Sequence, residues 1–154
     1  MLGLRLSDRQ AKWIAFFKLI VLARVGYAAV LFVQSRLELL GVPTILSTDE
    51  HMVALLFTLN PFIHALWTVY VAGYVAAAIL IWRNDPRGPL VYIAAFLLDA
   101  VMWIAISFFP FYELAWSGMS VVIDMGFNLL DLGLITVMLL WFRPRLLQSS
   151  ASGA

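Results

Sequence analysis

The chain has no cysteine, which removes disulfides, thiolate metal ligands and thiol nucleophiles together. It has only two histidines, His51 and His64. No His-x-x-x-His or Glu-x-x-His spacing joins either to further ligands, so the sequence predicts no metal site even though Glu50, His51, His64 and Asp124 share one side. Haem held by two axial histidines needs both at matched depth, and His51 lies outside the long apolar runs. The glycines form neither GxGxxG nor a P-loop, so no nucleotide is expected, and no other cofactor is indicated. Ser107, Ser117 and Ser120 lack the elbow context of a hydrolase nucleophile. Charge is scarce as well: Asp, Glu, Lys and Arg make up 12% of the residues, and a formal net charge of +1 gives nucleic acid nothing to hold. There is no extended polar stretch from which a soluble module could be built.

What is abundant is apolar surface, at 64% of 154 residues, which places the chain in a bilayer as a single small bundle. Four segments, 13–33, 61–82, 89–110 and 120–142, are long enough to cross about 30 Å of hydrocarbon at about 1.5 Å per residue. The fold class is therefore all-α: a four-helix transmembrane bundle. Arg5, Arg9 and Lys12 resemble the start of a signal peptide, but the run that follows is too long and contains Lys18 and Arg24, so a retained first helix is expected. Ser7 to Gln10 forms a capping box ahead of it. A second Ser-x-x-Glu cap, Ser47 to Glu50, leads into a short helix over 48–59 that Pro61 separates from the second span. One helix from 48 to 82 would be about 50 Å long, so this piece is expected to lie on or dip into the membrane and to lid a site. Asn84-Asp85-Pro86-Arg87 is so tight a turn that the second and third spans must be antiparallel neighbours. The polar tail, 148–154, is expected to be disordered.

Basic residues set the orientation. Arg5, Arg9 and Lys12 precede the first span, Arg83 and Arg87 fill the second loop, and Arg143 and Arg145 follow the last span, so these regions share the cytoplasmic side. Glu38, Asp49, Glu50 and Glu113, against Arg36 alone, fall on the other. Trp13, Trp82 and Trp141 then mark the inner interface, and residues 108–116 the outer one. Both termini are expected to be cytoplasmic, in a bacterial inner membrane.

Counting from the inner ends puts Arg24, Asp99 and Asp131 about 15 to 17 Å deep, all at the bilayer midplane. A lipid-exposed charge there costs at least about 2.5 kcal/mol, so the three are expected to meet. Arg24 stays protonated and its fork can engage two carboxylates, which leaves one negative charge in surplus. Such a site can carry a proton or a ligand; a polar cluster can equally fix helix register or hold a partner helix. His64 and Asp124 fall about 27 Å up, near the outer surface, and are expected to line a polar vestibule there. Asn128 lies within about 60° of Asp124 and Asp131 on the last helix and connects the two layers. Lys18, about 8 Å in, is expected to snorkel.

Gly126 and Gly133 suit close helix contact on another side of the last helix, which is expected to be surrounded by protein. Gly73 with Ala77 and Ala72 with Ala76 repeat the small-residue spacing in the second span. Tyr27, Tyr70, Tyr74, Tyr92 and Trp103 are candidates to line a pocket for a planar ligand. Three functional classes fit: a homo-oligomeric membrane protein that binds or moves a small solute or cation at a titratable Arg/Asp site; an accessory or scaffold subunit pairing with partner membrane subunits; and an enzyme acting on a lipid or isoprenoid with Asp99 or Asp131 as acid or base. Beyond the lipid bilayer and such subunits, the possible partner is a small apolar or cationic ligand.

Overall fold

A computed structural model describes residues 8–42 and 49–151, apart from the side chains of Met119 and residues 141–151. Six helices follow in order: α1 (Asp8–Leu39), α2 (Glu50–Thr58), α3 (Pro61–Trp82), α4 (Gly88–Ile106), α5 (Tyr112–Ala115) and α6 (Met119–Ala151). Four of them, α1, α3, α4 and the Ser120–Leu140 part of α6, are long and apolar enough to span a membrane.

The ends of these helices have local causes. Helix α1 outruns the expected 13–33 span because nothing in Gln34-Ser35-Arg36-Leu37-Glu38 breaks a helix; it stops where Gly41 takes φ +69°. There the Val42 amide donates to Leu37 O and the Gly41 amide to Glu38 O, a Schellman close that only a residue tolerant of positive φ makes cheaply. The cap of α2 is Asp49, whose carboxylate accepts from the His51 amide at 2.8 Å. Ser47 of the expected cap, like Ser7 of the first, lies outside the described residues. Asn60 caps α3 by accepting from the Ile63 amide at 3.0 Å, with Pro61 where no amide is needed.

Helix α4 ends at Ile106, short of the expected residue 110, because Pro110 cannot join the ladder; the chain turns instead through Phe111 at φ +68° into the short α5, which periodicity does not reveal. Helix α6 continues to Ala151, through half of the tail expected to be disordered; Gln, Ser and Ala extend an established helix at little cost, and residues 152–154 lie outside the described residues.

Helices α3 and α4 form the central antiparallel pair, with α1 along α3 and α6 along α4. At their turn Asn84 takes φ +59°, and the Asp85 amide donates to Leu80 O. Gly88 lets the backbones meet: a Cβ there would stand 2.9 Å from the Ile81 amide nitrogen. Higher up, Gly73 packs on Ala95 and Ala77 is fully buried, whereas Ala72 and Ala76 face outward, so only one of the two small-residue pairs is used. Lys18 does not snorkel freely. Its ammonium donates to Trp82 O and Asn84 Oδ1, both at 2.9 Å, and ties α1 to the end of α3. At the opposite end, α2 packs on α1 and α5 packs on α2.

The buried positions recur at three-, four- and seven-residue intervals: Phe17, Val21, Arg24 on α1; Tyr70, Tyr74, Ala77, Ile81 on α3; Tyr92, Ala95, Met102, Ile106 on α4; Asp131, Leu134, Met138 on α6. The outer faces remain apolar, with Trp13, Leu19, Val69, Leu97 and Leu129 all exposed, as in helices solvated by lipid tails. The chain is an integral membrane protein by these features. Helix α6 departs from expectation: among the described residues no atom stands near a would-be Cβ of Gly126 or Gly133, so neither mediates a contact there, and α6 is flanked mainly by α4.

Candidate functional site

The inward faces of α1, α4 and α6 bring Arg24, Asp99 and Asp131 together, as their matched depths require. The sharing is unequal. Asp131 takes the guanidinium fork, accepting from Arg24 Nη2 at 2.7 Å and from Nε at 3.1 Å. It also accepts from the Tyr92 hydroxyl at 2.6 Å, and its side chain is 1% exposed. Asp99 stands 3.8 Å from Arg24 Nη2 and is 27% exposed. Tyr74 bridges the two carboxylates, with its hydroxyl 3.4 Å from Asp99 and 3.5 Å from Asp131. The Arg24 guanidinium lies between two rings, 5.3 Å from the Tyr74 centroid and 5.1 Å from that of Phe127. Planar, charge-assisted contacts of this kind make the Arg24–Asp131 pair the rigid half of the site. Asp99 is the half left over.

Above this cluster is a partly open cavity of about 220 Å³, lined by residues of α1, α2, α3, α4 and α6 and by Trp116. Asp99 and Arg24 lie at its base, and Asp124 and Glu38 sit further along. Its wall is aromatic and aliphatic: Tyr27, Trp67, Tyr70, Trp103, Trp116 and Phe127, with Leu55, Leu56 and Met102. Neighbours hold these rings in place. Tyr27 stacks on Phe127 at 4.3 Å and Trp116 on Tyr112 at 5.4 Å, while Trp67 meets Phe32 edge-on at 6.0 Å. Of the five aromatic residues proposed for a planar-ligand pocket, Tyr27, Tyr70 and Trp103 line the cavity. Tyr74 and Tyr92 lie beneath it as hydrogen-bond donors to the carboxylates.

The level of His64 and Asp124 is arranged differently from the expected vestibule. His64 is held by Arg36: Nη1 contacts His64 Nδ1 at 2.9 Å, and Nη2 donates to its backbone carbonyl at 3.1 Å. An arginine can only donate, so that ring nitrogen accepts and the imidazole is neutral. Arg36 itself packs over Phe32 and Trp67 at 4.6 and 5.4 Å. His64 therefore does not pair with Asp124 and does not line the cavity. Equal depth places two residues at one level but does not choose between partners around the bundle, and Arg36, which reaches both the ring and the carbonyl of His64, is the partner that packing supplies. Asn128 is also outside the cavity. It is exposed and donates to the carbonyl of Asp124 at 3.0 Å, one turn back on its own helix.

Tyr92 and Tyr74 as hydroxyl partners of the triad, and Arg36 as a partner of His64, were not expected from the sequence. A signal existed for the first: Tyr92 precedes Asp99 by seven residues, two turns of one helix face. Among the described residues no group of three His, Asp or Glu side chains is arranged to hold a metal. No protein-family model, no curated protein and no solved structure matches this chain.

Proposed function

We propose that this chain binds a small solute in the intramembrane cavity, with Asp99 as the polar group that meets it. One observation carries the reading: the guanidinium is committed to Asp131, so the second midplane carboxylate has only a 3.8 Å contact to it and faces a cavity of about 220 Å³. A polar group facing a concave, largely apolar space is the usual signature of a ligand site, and the volume, below the roughly 300 to 1,000 Å³ of drug-sized pockets, suits a small molecule. Asp124 further up the wall extends the polar path. In this reading both termini are cytoplasmic and the end capped by α2 faces outward, so α2 is the gate, and movement of solute across the membrane needs a second exit past the Arg24–Asp131 pair.

The test uses the purified chain in lipid nanodiscs and a panel of small cationic, neutral and anionic solutes, read by tryptophan fluorescence and thermal unfolding. A saturable response that Ala28→Phe abolishes supports the reading, because Ala28 lines the cavity and the larger ring fills it. No response from any member of the panel refutes it.

A second reading, an accessory subunit, draws on α6. Only 17% of its apolar window is buried, the lowest share of the four spans, and its two glycines face open space. Pull-down from native membranes with α6 substitutions such as Gly126→Leu tests it: loss of a stoichiometric partner favours the accessory role.

A further inference from the structure

We infer that the solute is a small organic cation, an ammonium group with a compact apolar body; the inference rests on the cavity being a solute site at all.

Charge sign is the first argument. Four carboxylates, Asp99, Asp124 and Glu38 on the cavity wall and Asp131 beneath it, stand against one lining guanidinium, Arg24, which is bound in a bidentate pair with the carboxylate that does not line the cavity. An anion entering this space would meet Asp99 and Asp124, and among the described residues no unpaired cation lines it to offset them, whereas a cation completes the surplus. The walls supply the second argument. Tyr27, Tyr70, Trp103 and Trp116 line the same space, and an aromatic face stabilises a cation by about 0.5 to 1 kcal/mol where water reaches it and about 2 kcal/mol where it does not.

Ligand number separates an organic cation from a divalent metal ion. Hard divalent cations take six or more oxygen ligands in close array, and no metal-type group of side chains exists among the described residues. A quaternary ammonium spreads its charge under methyl groups and is hydrated more weakly than a metal ion, so it loses less on leaving water, and its carbon body suits the aliphatic part of the wall beside Met102. The built-in cation shows the same preference: Arg24 is itself placed against the rings of Tyr74 and Phe127.

Choline and its neutral carbon isostere, dimethylbutanol, differ by little except charge. Both are titrated into the full chain in nanodiscs at constant ionic strength, with fluorescence from Trp103 and Trp116 on the cavity wall as the readout. Choline should saturate the signal, and the isostere should bind about tenfold more weakly or worse. Asp99→Asn should bring choline down to the isostere's level, and Asp124→Asn should act in the same direction by a smaller factor. If Asp99→Asn fails to fold, the wild-type comparison and Asp124→Asn decide the matter. Equal or tighter binding of the isostere, still abolished by Ala28→Phe, overturns the cation assignment and leaves the solute site standing. Failure of choline, the isostere and every member of the wider solute panel overturns both.

Discussion

Asp131 is 1% exposed and receives three contacts from Arg24 together with the 2.6 Å hydroxyl of Tyr92. Arg24→Met keeps most of the side-chain volume and removes the charge. It leaves a buried carboxylate with hydroxyl donors alone, and removing one partner of a buried pair costs about 3 to 5 kcal/mol. Asp131→Leu acts differently, because the freed guanidinium keeps Asp99 at 3.8 Å and the faces of Tyr74 and Phe127; about 2 to 3 kcal/mol is expected. The double replacement puts two apolar chains of similar size where the pair stood. Since such exchanges are often neutral, it should be more stable than Arg24→Met alone, with a coupling of about 2 kcal/mol or more. Unfolding of the four proteins in mixed micelles, followed by tryptophan emission, yields the cycle. Strictly additive losses would refute the idea that Asp131 is chiefly the structural partner of Arg24, and so would an Asp99→Asn change as costly as Asp131→Asn.

Tyr92→Phe removes the shortest bond to Asp131 and should destabilise by about 1.5 to 3 kcal/mol, whereas Tyr74→Phe, with contacts of 3.4 and 3.5 Å, should cost less; equal losses would contradict the ranking. Gly88→Ala drives a Cβ to 2.9 Å from the Ile81 nitrogen and should cost about 1 to 3 kcal/mol, while Gly126→Ala meets nothing and should be neutral or stabilising, both read as shifts in the unfolding midpoint. In the cysteine-free chain, Asp124→Cys should react with a membrane-impermeant thiol reagent added from the outer side, and Asp131→Cys far more slowly because that position is sealed beneath the cavity. Labelling of Asp124→Cys only from the cytoplasmic side would reverse the proposed orientation. Asn128→Leu should leave solute binding unchanged, since Asn128 bonds only its own helix; a loss of binding there would extend the site to α6's outer edge.

The four spans, the matched depth of Arg24, Asp99 and Asp131, and the tight turn after Trp82 were legible in the sequence because each depends on something local or one-dimensional. Apolar length, rise per residue and the charge cost of lipid all act along a single helix. Caps and ends were partly legible for the same reason: Asn60-Pro61 carries its own hydrogen-bond logic, whereas Gly41 as the terminator of α1 could not be told from a glycine in a loop. What only the tertiary arrangement decided is azimuth, the direction each residue faces around the bundle once the helices are packed. Depth put His64 level with Asp124, but the rotation of α1 gave His64 to Arg36; depth put two aspartates beside one arginine, but the rotations of α4 and α6 gave the fork to Asp131 and the cavity to Asp99. Helix rotation follows from how all the side chains of neighbouring helices interlock, a sum over contacts between residues far apart in the chain, and no single segment encodes it.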